Sequence, residues 1–220
     1  MRRILSQYWG HEATNFHEGW KDRFERLFLK HDVQVIDELE AVIASYDEAD
    51  RPIALYEIGC GGGQVLNYLC GRLKGVEKFV GIDLGEDQIT SNMQTYDDPK
   101  IAFHTADAVD WIPANAAPKS VVLTNGGVLE YFLREEVEAL FASVGNDLKP
   151  ATIVLIETIG SNHDLEASDD SFIYGRELSF SHNYPALLRK AGFEIRHQSE
   201  RAGQQEDGGG RWLRVVATKT

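Results

Sequence analysis

Four short stretches of this 220-residue chain carry residue types that can hold and position a ligand. The first is Leu55-Tyr56-Glu57-Ile58-Gly59-Cys60-Gly61-Gly62-Gly63-Gln64, an apolar run that hands over to glycines and then to Val65, Leu66 and Leu69 at helical spacing. Glycines at such a bend let a ligand lie against bare backbone, and the helix N-terminus that follows favours negative charge. A dinucleotide fingerprint would want Gly or Ala at position 64, where helix and strand pack closely. Glutamine stands there, so the loop reads GxGxG. The second stretch, Phe79-Val80-Gly81-Ile82-Asp83-Leu84, ends an apolar run in a carboxylate 24 residues beyond Gly59. Such a carboxylate can accept both hydroxyl hydrogens of a ribose, or alternatively cap a helix. The third, Ile101-Ala102-Phe103-His104-Thr105-Ala106-Asp107-Ala108, again ends in an acid, with Asp110 close behind as a solvated or capping competitor. The fourth is Thr124-Asn125-Gly126-Gly127-Val128-Leu129-Glu130-Tyr131. Asn125, Gly126 and Tyr131 can each face a reacting centre, and Tyr131 can equally pack the core.

In this order the four stretches resemble the class I S-adenosylmethionine-dependent methyltransferases, and the run from Glu57 to Gly63 is similar to that family's first motif almost letter for letter. The resemblance implies that Gly59, Cys60, Gly61 and Gly63 cradle the methionine part of S-adenosylmethionine. It implies that Glu57 helps to hold the charged amino-acid end, directly or through water. Asp83 would then bind the ribose, Leu84 flank the adenine, and Asp107 with the Ala108 amide meet the adenine's exocyclic amine. Asn125 and Gly126 complete the implied cofactor set. The fourth stretch lacks the Asp/Asn-Pro-Pro-aromatic signature of enzymes that methylate exocyclic amines of nucleobases or glutamine. Its Val-Leu-Glu-Tyr form is similar to that of small-molecule methyltransferases. The expected function is therefore methyl transfer from S-adenosylmethionine to an O, N or C nucleophile of a small molecule.

Methyl transfer from a sulfonium needs alignment and exclusion of water more than a fixed catalytic signature. A base is required only where the nucleophile carries a tightly held proton. Candidate substrate contacts therefore come from position alone. The aromatic N-terminal stretch from Tyr8 and Trp9 to Trp20 offers Tyr8 and His11. Asn125 and Tyr131 follow the fourth strand. Residues 160–181 make a long connection of the kind that forms lids, with Tyr174, Arg176 and then His182, a candidate base or a capping histidine. The remaining histidines (17, 31, 104, 163 and 197) show no metal-ligand spacing, and no metal is expected. The alternative is a non-methylating use of the same cofactor on the same fold, such as cyclisation of its aminobutyryl chain to azetidine-2-carboxylate with release of methylthioadenosine. A nicotinamide-dependent oxidoreductase is opposed by Gln64, and a non-catalytic scaffold by the intact glycines and acids.

The elements that must position these residues follow from hydrophobic periodicity. Strands are expected at 53–58, 78–82, 101–104, 120–124 and 153–157, alternating with helices near 64–74, 86–95, 134–147 and 183–191. Strands at 193–199 and 212–218 form a terminal hairpin. The fold class is α/β: a Rossmann-like, seven-stranded, mostly parallel sheet with an antiparallel C-terminal strand and helices on both faces. Residues 1–50, with helical periodicity from Trp20 to Ile43, are expected as a helical lid or appendage to an S-adenosylmethionine-binding domain over 51–220. A formal net charge of −13, from 22 Lys and Arg against 35 Asp and Glu, argues against nucleic acid as partner. Cys60 and Cys70 are too few for a disulfide framework. No signal peptide or membrane span is expected, which points to the cytoplasm. Oligomeric state is left open.

Overall fold

The computed structural model of the protein describes residues 24–175, 179–203 and 210–220. Tyr8, His11 and Arg176 lie outside these described residues, as does the first part of the expected lid. Five apolar runs form β1 (Ala54–Ile58), β2 (Lys78–Asp83), β3 (Ile101–Thr105), β4 (Ser120–Asn125) and β5 (Ala151–Ile159). All five positions of β1 are buried, as expected for a parallel strand covered on both faces. Two three-residue strands, β6 (Phe172–Tyr174) and β7 (Ser179–Ser181), pair with each other as a separate antiparallel sheet. The last two strands are β8 (Glu194–Ala202) and β9 (Arg211–Lys219).

The main sheet has seven strands in the order β3-β2-β1-β4-β5-β9-β8. Strands β1 to β5 are parallel, and β9 runs antiparallel to both of its neighbours. The expected antiparallel C-terminal strand is present, one place in from the edge. Its pairing with β5 runs from Ala151↔Lys219 to Ile159↔Arg211, the full length of both strands. In the outermost strand, β8, half-buried positions alternate with exposed ones, the pattern of a strand with one solvated face.

Each face of the sheet buries its own hydrophobic cluster. Tyr56, Ile58, Val122 and Leu155 pack under helices Ala108–Asn115, Arg134–Asp147 and Tyr184–Lys190. Leu55, Leu123 and Ile156 pack under helices Gln34–Ser45, Gln64–Arg72 and Glu86–Thr95. The described part of the expected lid, residues 24–50, joins this second layer through Phe28, Val35, Ile36 and Leu39. A buried ion cluster ties it down. Asp32 (2% exposed) accepts from Arg201 Nε at 3.0 Å, Arg201 Nη2 at 3.2 Å and Arg214 Nε at 2.8 Å. The Arg201 guanidinium also lies 4.9 Å from the centre of the Trp212 ring. The π-helix Phe24–Asp32 is thereby joined to β8 and β9.

Helix Ala108–Asn115 and the β6–β7 pair were not expected from the sequence. The helix is only eight residues long and contains Pro113, which removes an interior hydrogen bond. Asp107 makes it possible, capping the first turn by accepting from Val109 N at 3.1 Å. Among the described residues no helix is long and apolar enough to cross a membrane.

Candidate functional site

Because β1 to β4 run parallel, their carboxyl ends share one edge of the sheet, the place where such sheets bind ligands. Glu57, Asp83 and Asn125 all stand at or beside these ends. The chain leaves β1 through Gly59, whose amide and that of Cys60 both reach Ile82 O, at 2.8 and 3.2 Å. The bend closes on Gly63, which sits at φ +74° and serves as the N-cap of helix Gln64–Arg72. A Cβ at Gly63 would stand 2.8 Å from the Tyr96 ring and 2.9 Å from that of Phe103. Glycine is therefore required there twice, by backbone conformation and by close approach.

Helix Glu86–Thr95 clamps the loop from outside. Asn92, buried, donates through Nδ2 to Gly61 O at 2.7 Å and accepts through Oδ1 from Gln88 Nε2 at 2.8 Å. Just beyond the helix, Tyr96 Oη donates to Gly62 O at 2.9 Å. Sequence reasoning missed this clamp. The available signal was the four-residue spacing of positions 88, 92 and 96, through the helix and its C-cap.

Asp83, half-buried at the end of β2, accepts from Gly61 N through Oδ2 at 2.9 Å and from Gly85 N through Oδ1 at 3.0 Å. The carboxyl group thus spans the glycine loop and the start of the next helix. Glu57 is 2% exposed, and its Oε2 has no hydrogen-bond partner in the structure. Burial, then the charge of Asp83, push its carboxyl well above the usual range, against one favourable backbone amide at Leu66. A buried carboxyl oxygen without a partner is costly unless a ligand group meets it. Burial, then the charges of Asp83 and Glu57, also push the Cys60 thiol up, so it is no thiolate nucleophile. Leu84 is half-buried beside Asp83, Ala108 is buried, and the half-buried Asp107 caps its helix.

Asn125 ends β4, half-buried, and the Gly126 amide bonds to Ile156 O at 3.0 Å. The chain then turns through Gly127 and the 3-10 turn Leu129–Tyr131, where Tyr131 is half-buried. Beside this loop lies a polar cluster that the sequence did not reveal as a unit. Tyr174 Oη, on β6, lies 2.7 Å from both Glu130 Oε2 and Thr158 Oγ1. Glu157, fully buried, accepts from Leu129 N at 3.0 Å, and burial raises its carboxyl pKa to about 8. Burial, then Glu130, push the Tyr174 hydroxyl well above its ordinary range.

His182 is buried with both ring nitrogens engaged, Nδ1 with Ser171 Oγ at 2.7 Å and Nε2 with Phe132 O at 3.0 Å. Burial lowers its pKa to about 4, so it is neutral near pH 7. Both contacts hold loops together, and neither nitrogen is left to take a proton from a substrate in this conformation. Among the described residues no group of three or more His, Cys, Asp or Glu is arranged to hold a metal ion.

Residues 55–151 match the family model described as a methyltransferase domain. No curated protein matches the chain in sequence. The fold is shared with solved S-adenosylmethionine-dependent methyltransferases. The magnesium protoporphyrin IX methyltransferase of Synechocystis PCC 6803, solved with bound S-adenosylhomocysteine, superposes with a TM-score of 0.66 at 15% identity, over 100% of this chain and 99% of that one. The 1,6-didemethyltoxoflavin-N1-methyltransferase of Burkholderia thailandensis gives a TM-score of 0.59 at 16% identity, over 94% and 87%. A methyltransferase from Mesorhizobium loti gives 0.58 at 18% identity, over 83% and 97%. At these identities the likeness is one of fold.

Proposed function

We propose, from the match of residues 55–151 to a methyltransferase-domain model and from the shared fold, that this chain transfers a methyl group from S-adenosylmethionine to an O, N or C nucleophile of a small molecule. The observation that carries the reading is the cradle at the end of β1. Bare backbone at Gly59 to Gly63 stands above a buried Glu57 whose Oε2 has no partner, with Asp83 alongside.

These residues fit the cofactor by charge and shape. Glu57 is placed to take the α-ammonium group and the glycine loop to lie along the methionine chain. Asp83 takes the ribose hydroxyls, while Leu84, Asp107 and the Ala108 amide form the adenine side. When bound, the cofactor supplies an activated methyl group on a sulfonium, so the chain need only bind, orient and exclude water. The acceptor then lies over Asn125, Gly126 and Tyr131, with Tyr174 on β6 closing that side. Structural neighbours that act on small molecules, and an acidic chain with net charge −13, support a small-molecule acceptor over nucleic acid.

Calorimetry with S-adenosylhomocysteine tests the cofactor reading. Binding is expected in the wild type and about 10- to 100-fold weaker binding in Asp83→Ala, from loss of hydrogen bonds to a charged group. No heat in the wild type overturns it. Incubation with S-adenosylmethionine alone tests the use made of it. Methylthioadenosine appearing without an acceptor would point to cyclisation instead of transfer.

A further inference from the structure

The loop after β4 carries the residues placed nearest the acceptor, and hydrogen bonds fix both of its ends. Gly126 N bonds to Ile156 O at 3.0 Å at one end, and Phe132 O meets His182 Nε2 at 3.0 Å at the other. Between them the Leu129 amide, buried, finds its partner in a side chain of β5, Glu157 Oε2 at 3.0 Å. Glu157 is wholly buried, with the Thr124 hydroxyl and the Val128 amide as its further hydrogen-bonding neighbours, and the hydroxyl of Tyr184 is buried beside it without a partner. An apolar side chain would avoid the penalty of that burial, so a carboxyl group here calls for a reason beyond packing.

We infer that Glu157 is a positioning residue for the acceptor half of the site, holding loop 126–131 over the carboxyl end of β4 through the Leu129 amide. The inference rests on the reading above that the acceptor lies at this loop. Glu130 projects from the held loop and Tyr174 Oη meets it at 2.7 Å, so the Leu129 anchor also sets where that pair stands. Gly127 completes the fit, since a Cβ there would stand 2.5 Å from Glu130 Oε1.

The titratable groups facing Glu157 are Glu130 from the loop, Tyr174 from β6 and Tyr184 from helix Tyr184–Lys190. All three are acids. At the loop's far end Arg134 is paired with Glu138 at 2.9 Å, and His182 is neutral. The closed loop therefore keeps a proton on Glu157 up to about pH 8, whereas a solvated Glu157 loses it in the ordinary carboxylate range. By linkage, opening that solvates Glu157 becomes easier as pH rises towards 8, and the dependence flattens above it.

Amide hydrogen exchange, corrected for intrinsic rates and read at Leu129 between pH 6 and 8, tests this without any acceptor. In the wild type, protection at Leu129 is expected to fall by up to about tenfold per pH unit while that at Val80 in β2 stays level. Glu157→Gln keeps a carbonyl oxygen for the amide and should retain protection with a flat pH profile. Glu157→Leu, which keeps bulk and removes the acceptor, should exchange at Leu129 about tenfold faster or more. Rescue by Gln with loss of the pH dependence is what packing alone does not produce. A Gln variant that follows the wild-type pH profile overturns the inference, as does a folded Leu variant with unchanged exchange at Leu129. Should Glu157→Leu fail to fold, the wild-type and Gln profiles decide. Absence of S-adenosylhomocysteine binding would instead sink the cofactor reading and leave this exchange result standing.

Discussion

Glu57 shows how a single side chain can report on its ligand. Its carboxyl is held above the ordinary range by burial and by Asp83, so the free protein keeps a proton there at pH values where a solvated glutamate has lost it. An ammonium group brought against it reverses the preference. Binding of S-adenosylhomocysteine is then expected to release up to about one proton. The calorimetric enthalpy should differ between phosphate and Tris by the difference in their ionisation enthalpies, and affinity should tighten as pH rises towards the free-state pKa of Glu57. An enthalpy independent of buffer would remove Glu57 from the ammonium contact. Glu57 and Asp83 were visible in the sequence because each stands at or next to the end of an apolar run, two residues from a glycine, where a charged residue stands out. Glu157 was hidden despite a similar position. It closes the strand expected at 153–157 but lies in none of the four ligand-holding stretches, and only the tertiary fold brings Leu129 to it.

Among the elements, the bend between β1 and its helix is the most constrained. Gly63→Ala places a Cβ in the left-handed region and drives it to 2.8 Å from the Tyr96 ring. Strain of about 1–2 kcal/mol from the backbone adds to a similar overpacking penalty. Thermal or urea unfolding should show a loss of at least about 2 kcal/mol, with S-adenosylhomocysteine binding impaired as well. A fully stable variant would mean the bend is not rigid. The parallel strands were legible because burial on both faces leaves almost unbroken apolar runs bounded by glycine, proline or acids. The β6–β7 pair was not, since three-residue strands give periodicity too little length to register. The clamp by Gln88, Asn92 and Tyr96 escaped as well, because polar residues on a helix read as solvated until the neighbouring glycine loop supplies their partners.

At the scale of the whole molecule, a buried carboxylate ties the N-terminal layer to β8 and β9. Asp32 meets Arg201 and Arg214 across 169 and 182 residues of sequence. Removing it leaves two guanidinium groups crowded in a site with little solvent. Asp32→Ala should lower stability by about 3–5 kcal/mol, measured by urea unfolding. A change under about 1 kcal/mol would place this cluster with ordinary surface pairs. The sequence suggested a helical region before β1, but not this attachment, since no local pattern links residue 32 to residues 201 and 214.

The place of β9 also has a bearing on how the chain assembles during synthesis. Strand β8 emerges from the ribosome before β9, yet among the described residues β9 is its sole hydrogen-bonded neighbour in the sheet. The half-built sheet therefore ends at β5, an apolar strand with an open flank, and β8 has nowhere to dock. Closure waits for β9, so a nascent chain stalled before residue 211 would present that flank to any chaperone within reach.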